Sequence, residues 1–198
     1  MSLLVGPTTR CFVGVVSLEH ATRGYNGGFT QACHGKQSPL SRMNKGDVFV
    51  QYSPKDALGG SKACQHFTYI GSVATGKVYQ VEMGPGFKPF RIDIDYLSAD
   101  QAKQASIRPL IERLSFIKNK TKWGMAFRFG FLEIPLSDFK IIYMAMTGKS
   151  IDTPRKALLA PADSKQKSSE STTGSVGENS SEPFRKKPRL QHKGGYGL

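Results

Sequence analysis

Residues 17–36, SLEHATRGYNGGFTQACHGK, concentrate more hydrogen-bonding chemistry than an ordinary connection needs. They hold two of the chain's four histidines, four glycines and two aromatic rings. Ser17, His20, Gln31 and His34 are short or planar groups suited to the edge of a flat heterocycle. Paired glycines such as Gly27-Gly28 allow positive φ and a close approach of backbone to ligand. The stretch reads as a loop wrapping a flat molecule, with a polar turn of satisfied side chains as the alternative.

Catalytic readings of the same residues fail on spacing. His20 and His34 have no glutamate placed to complete a metal site, and Cys11, Cys33 and Cys64 are scattered. Cys33 and His34 are adjacent, and neighbours on an extended chain point to opposite faces, which suits no nucleophile–base pair. A phosphate loop needs a Gly-Lys-Ser/Thr ending, and here Gly35-Lys36 is followed by Gln37. No carboxylate pair stands out. The expectation is a binding module with no catalysis, cofactor or metal.

A second concentration lies at Lys118–Phe129, KNKTKWGMAFRF. Trp123, the only tryptophan, sits there among Lys118, Lys120, Lys122 and Arg128, with Lys140 a little beyond. Cations interleaved with aromatic rings suit a surface that stacks bases and neutralises phosphates, although a lone tryptophan also suits a core. Tyr52-Ser53-Pro54-Lys55 offers a ring and a hydroxyl at a strand end, where binding loops commonly start.

Net charge points the same way. The 198 residues carry 28 Lys and Arg against 15 Asp and Glu, a formal charge of +13. Residues 1–149 keep 19 basic against 10 acidic side chains, so the field belongs mainly to the body. Such a field attracts a polyanion, nucleic acid first and an acidic membrane surface second. Three cysteines with no zinc or disulfide spacing suit a reducing intracellular compartment. No apolar run approaches the roughly 20 residues that span a bilayer, and MSLLVGPTTR lacks the features of a secretory signal.

The elements that must position these residues are mostly strands. CFVGVV (11–16) is a buried run, and DVFVQY (47–52) puts Val48, Val50 and Tyr52 on one face. Residues 67–73 and 77–83 read as a hairpin around Ala-Thr-Gly. In residues 90–96 Phe90, Ile92, Ile94 and Tyr96 point one way and Arg91, Asp93 and Asp95 the other. Ser106 caps a predicted helix carrying Ile107, Leu110, Ile111 and Leu114 and ending near Asn119. Ser137 caps another carrying Phe139, Ile142, Tyr143 and Met146, ending at Gly148. The pattern is α+β, with mostly antiparallel strands closed into a small barrel and helices packed on it. Residues 1–9 read as an extension.

VVSLEH, GGFTQACHGK, PLSRMNKGD, VQYSPK, FTYIGSV, VYQVEM, RIDIDY, PLIERLSFI, WGMAFRFGFLEI and SDFKIIYMAMTG follow one another with the order and spacing of the EVE domain. The chain resembles that family over about residues 10–148. EVE domains are a branch of the PUA-like fold, related to YTH domains and thymocyte nuclear protein. The resemblance implies a pseudobarrel with a deep pocket, comparable to the pocket in which YTH domains hold a methylated adenine, and so a reader of modified bases in DNA or RNA. Carried over by motif, Ser17 and His20 stand at the rim, Phe29, Gln31 and His34 line the pocket, Tyr52, Ser53 and Pro54 form another wall, and Trp123 is a stacking surface. Lys36, Lys55, Lys122 and Arg128 are candidate phosphate contacts. This chain departs from the family pattern with Ala21-Thr22-Arg23 after His20, where an aliphatic residue is expected, so the mouth is more polar. An RNA-binding module of RNA maturation, indifferent to modification, is the alternative.

Residues 149–198 form a polar, Ser-rich tail expected to be disordered, since 161–183 contain Val176 as the only large aliphatic. Its basic cluster, Arg185-Lys186-Lys187-Pro188-Arg189, reads as a nuclear-import signal, with an import receptor as partner and a nuclear location. The domain is expected to act as a monomer.

Overall fold

CFVGVV becomes β1 (Cys11–Val15), and DVFVQY extends through the Ser-Pro-Lys sequence into β3 (Val48–Lys55). In the computed structural model, which describes residues 3–151, these two lie side by side and parallel at the middle of one sheet. The elements between and after them are α1 (Leu18–Gly27), β2 (Phe29–Thr30), α2 (Gln37–Leu40), β4 (Ala63–Gln80), β5 (Phe90–Tyr96), β6 (Ala105–Ser106), β7 (Phe131–Ile134) and α3 (Leu136–Thr147). Strand order is β2-β5-β4-β3-β1-β7, with β6 paired to β4. Every ladder except β1–β3 is antiparallel.

Period-two alternation sorts the strands onto two apolar faces. Cys11, Val13, Val48, Val50 and Tyr52 bury one way, beneath Phe139, Ile142, Tyr143 and Met146 of α3. Phe12, Phe49, Ile92, Ile94 and Phe131 bury the other way, with Leu40 and Met43. The faces expected for β3 and β5 are therefore the observed ones. Leu3, Val5 and Ile151 join the first core, beyond both ends of the span read as the domain. Residues 152–198, with the tail and its basic cluster, lie outside the described residues.

Four local expectations are corrected. The strands do not close into a barrel. β2 has two residues and β7 four, and no ladder joins these sheet ends among the described residues. Residues 67–73 and 77–83 are not the two arms of a hairpin, because residues 67–80 run on as part of the single 18-residue β4. Ala-Thr-Gly is a bulge there, with three extra residues absorbed between the Val73–Ile94 and Val78–Ile92 pairs. Gly76 takes φ 69°, which a glycine reaches without strain.

The helix expected after Ser106 is instead β6, a short 3₁₀ segment at Arg108–Leu110, and successive turns. Ile107, Leu110, Ile111 and Leu114 still bury. Lys120 Nζ donates to the carbonyls of Ile111 and Leu114 at 2.7 and 2.8 Å, and Asp138 accepts from the Ser115 hydroxyl and the Phe116 N–H. Tertiary partners thus satisfy backbone groups that a helix would have paired internally. Finally, α3 begins at Leu136 with Pro135 as its N-cap, so Ser137 is not the cap. Its end at left-handed Gly148 is as expected.

Glu133 on β7 accepts from Arg10 at 2.9 and 2.6 Å and from Arg42 at 2.8 Å. The Arg10 hydrogen bonds, reinforced by Arg42 and opposed by partial burial, hold its carboxyl below the ordinary value of 4.5. A carboxylate with a lowered folded pKa stabilises fully above its unfolded value, and that contribution is lost as pH falls through the folded value. Glu133→Gln is expected to remove about 1 kcal/mol or less of acid-dependent stability, since the pair is over a third exposed. Thermal midpoints of both proteins between pH 6 and 3 check this; parallel curves would show that Glu133 carries none of the dependence.

Candidate functional site

Residues 17–36 are not the loop that their composition implied. Residues 18–27 form α1, started by Ser17, whose hydroxyl accepts the His20 N–H, and stopped by left-handed Gly28. Glu19 in the first turn suits the positive end of the helix dipole. These were the available signals, a Ser cap and a Gly stop with ten residues between them. They were masked because few apolar residues mark a buried stripe on this helix.

The helix forms one wall of a cavity of about 390 Å³. Ser17 lines it from the N-cap of α1, His20 and Gly24 from α1 itself, Phe29 from β2, Gln31 to Gly35 from the following turn, Gln51 from β3 and Arg91 from β5. Leu58, Met83 and Phe87 rim it, and Leu58 is 75% exposed. Five of the sequence-predicted residues, Ser17, His20, Phe29, Gln31 and His34, are thus brought together. The size falls within the range of small-molecule sites, about 300–1,000 Å³.

Hydrogen bonds orient the lining. Ser17 Oγ lies 2.9 Å from His20 Nδ1. That oxygen also accepts the His20 backbone N–H, so the Ser17 hydroxyl holds both the start of α1 and the imidazole ring in place. The Arg91 guanidinium stacks 3.7 Å from the centre of the Phe29 ring, and its Nε donates to Gln31 Oε1 at 3.2 Å. Gly27 permits this placement, because a Cβ there would stand 2.4 Å from the Phe29 ring.

Gln51 is the most deeply buried polar side chain of this wall. Tyr96 donates its hydroxyl proton to the Phe29 carbonyl, so it receives from Gln51 Nε2 at 2.9 Å. This assigns the amide and leaves Gln51 Oε1 buried without a partner. Burial pushes the Tyr96 phenol far up, so the hydroxyl stays protonated as the link requires.

Cys33, His34 and Gly35 are three consecutive left-handed residues, with φ of 49°, 58° and 80°. A non-glycine residue in this region costs about 1–2 kcal/mol, and such strain collects at ligand sites. Burial pushes the Cys33 thiol up, against a smaller opposing effect of Lys36. Burial also raises Cys64, and it drives Cys11 up to about 12. None of the three is a primed thiolate. Among the described residues no group of three or more His, Cys, Asp or Glu could hold a metal ion.

The remaining predicted residues lie elsewhere. Tyr52, Pro54, Lys55, Lys122 and Trp123 border a second cavity of about 470 Å³. The Tyr52 ring is buried and stacks on Phe127 at 4.0 Å. Ser53 belongs to no wall: it is fully buried, 3.2 Å from the Thr68 hydroxyl, a correction caused by β3 continuing through residues read as a strand end. Lys36 and Arg128 are exposed and line neither cavity.

Sequence reading missed Gln51 and Arg91. A lone glutamine within an apolar strand was the signal for the first. Arg91 looked solvent-facing until β2 paired with β5 and brought Phe29 beneath it.

The EVE domain family model matches residues 13–145. A UPF0310 protein of Bacillus licheniformis is 46% identical over 130 residues, covering 66% of this chain and 86% of its own length. The UPF0310 protein msl3206 of Mesorhizobium japonicum is 46% identical over 137 residues, covering 68% of this chain and 90% of its own. YdcG of Bacillus subtilis, also a UPF0310 protein, is 41% identical over 138 residues, covering 70% and 92%. These relatives are bacterial and lend no support to a nuclear location. No helix among the described residues is long and apolar enough to cross a membrane.

Proposed function

The chain belongs to the EVE domain family, and on that premise we propose that it is a non-catalytic, PUA-like binding module whose α1-side cavity takes a methylated nucleobase of DNA or RNA. The observation that carries this reading is the buried, partnerless Gln51 Oε1 in a wall that also holds the Phe29 ring. An unsatisfied buried acceptor costs about 1–3 kcal/mol, which a ligand N–H, such as a base amino group, would return once the Gln51 side chain turns its oxygen into the cavity. Stacking on an aromatic face contributes about 1–3 kcal/mol per base, and a buried methyl adds about 0.8 kcal/mol.

Fluorescence anisotropy on the full chain tests this with ten-nucleotide single strands carrying N6-methyladenine or 5-methylcytosine, against unmodified strands. The methylated strand is expected to bind more tightly. Gln51→Leu is expected to weaken its binding about 3- to 10-fold, one net hydrogen bond, with little net change in stability, because the loss of the orphan acceptor offsets the loss of the Nε2–Tyr96 bond. Equal affinity for all strands would remove the modification-specific part and leave a general RNA- or DNA-binding module. No binding to any of them would overturn the reading.

A further inference from the structure

We propose that the cavity beside Trp123 is a second nucleobase subsite, filled by a neighbouring nucleotide of the single strand whose modified base occupies the α1-side cavity. The inference rests on the nucleic-acid reading above and goes beyond it, because the two cavities have separate walls and need two bases.

The Trp123 indole is held in place. It is half-buried, meets the Phe127 ring edge-on with centroids 6.5 Å apart, and carries the Arg108 guanidinium 5.1 Å from its centre. Arg108 is itself anchored by donating to Gln65 Oε1 at 3.0 Å. Phe127 in turn stacks on buried Tyr52. A ring braced this way loses little further freedom when a base stacks on it.

Charge selects the occupant. Lys55 and Lys122 border the cavity, both are exposed, and neither has an ion pair among the described residues. No aspartate or glutamate lines it. An aromatic wall with unpaired cations suits a base and its phosphate. The strand must be single, because only unpaired bases present their faces.

One stretch of surface joins the two cavities. Met125 lines the second and Gly130 the first, and the five residue steps from one to the other span at most about 17 Å. Between them Arg128 and Phe129 are exposed, with the guanidinium 4.4 Å from the ring centre. Phe129 is 69% exposed and Met125 53%, so both present apolar surface on which a base or sugar can rest. The Cys33 thiol donates to the Phe129 carbonyl at 3.3 Å, fixing this surface to the strained turn of the first cavity. A few nucleotides would reach from one to the other across a cationic, apolar path.

Trp123 is the only tryptophan, so its emission reports on this cavity. The full chain is titrated with the methylated nucleoside alone and with single strands of three, six and ten nucleotides carrying that base centrally, as DNA and as RNA, while anisotropy follows binding. The longer strands are expected to quench Trp123 and the nucleoside to leave it unchanged. Lys55→Ala/Lys122→Ala is expected to lower the slope of log affinity against log salt by about 1.4, at about 0.7 per cation, with nucleoside affinity unaltered. Tight binding of long strands without quenching, or an unchanged salt slope, would overturn the second subsite and leave the first reading standing. Quenching by the nucleoside alone would place the modified base against Trp123 and overturn the division into two sites. Absence of any binding would defeat both readings.

Discussion

Phe29→Ala is expected to weaken binding of a methylated single strand by roughly 10- to 100-fold. That is the loss of about 1–3 kcal/mol of stacking, at about 1.4 kcal/mol per tenfold. Phe29 supplies the aromatic face of the α1-side cavity, and the truncation also releases Arg91, which now lies over that ring. The Phe29 backbone carries the Asp93 pairing and accepts from Tyr96 through its carbonyl, and both survive the change. The fold should therefore hold. Phe29→Leu separates the two contributions, since it keeps apolar volume but loses the π face. If stacking dominates, leucine behaves like alanine. Anisotropy with modified and plain strands, alongside thermal melts, reads both effects, and wild-type affinity in Phe29→Ala would exclude the ring from the site.

Gly71→Ala is expected to destabilise the domain by about 3 kcal/mol, at the upper end of ordinary overpacking. A Cβ at Gly71 would stand 2.3 Å from the Asp95 carbonyl oxygen and 2.8 Å from the Tyr96 Cα, both backbone atoms of β5. The strand has no room to yield, because Gly71 also pairs with Phe49 on β3. Its φ is not in the left-handed region, so the penalty is steric and not conformational. The melting temperature should fall by roughly 6–12 °C. Gly124→Ala is the control: a Cβ there meets nothing within 4 Å, so its effect should stay within about 0.5 kcal/mol. Equal midpoints for the two variants would show that β4 and β5 are looser than their pairing implies.

Local pattern was enough for the parts of the fold that rest on local physics. β1, β3 and β5 are strong period-two or fully apolar runs, and their faces follow from alternation alone. α3 shows the 3.6-residue stripe and its glycine stop. Where local cues were weak or divided, tertiary contacts decided. α1 has a cap and a stop but little apolar stripe, so it looked like a loop. The stripe at Ile107–Leu114 looked helical, yet Lys120 took the Ile111 and Leu114 carbonyls, and Asp138, more than 20 residues away in the chain, took the Phe116 N–H that follows.

The site divides along the same line. Side-chain chemistry alone picked out both the 17–36 segment and the Trp123 region, because polar groups next to paired glycines and cations beside a lone indole are properties of residue type and spacing. Their separation into two cavities depends on where β3 runs. It sends Gln51 to one cavity and Tyr52 to the other, as neighbours on a strand must go. Only pairing of β2 with β5 places Arg91 over Phe29, and only the Phe29–Tyr96–Gln51 chain leaves one buried oxygen without a partner. Residue types and their spacing say which chemistry is present. The tertiary structure decided which groups share a cavity, because that depends on strand order and register, which join residues far apart in the chain.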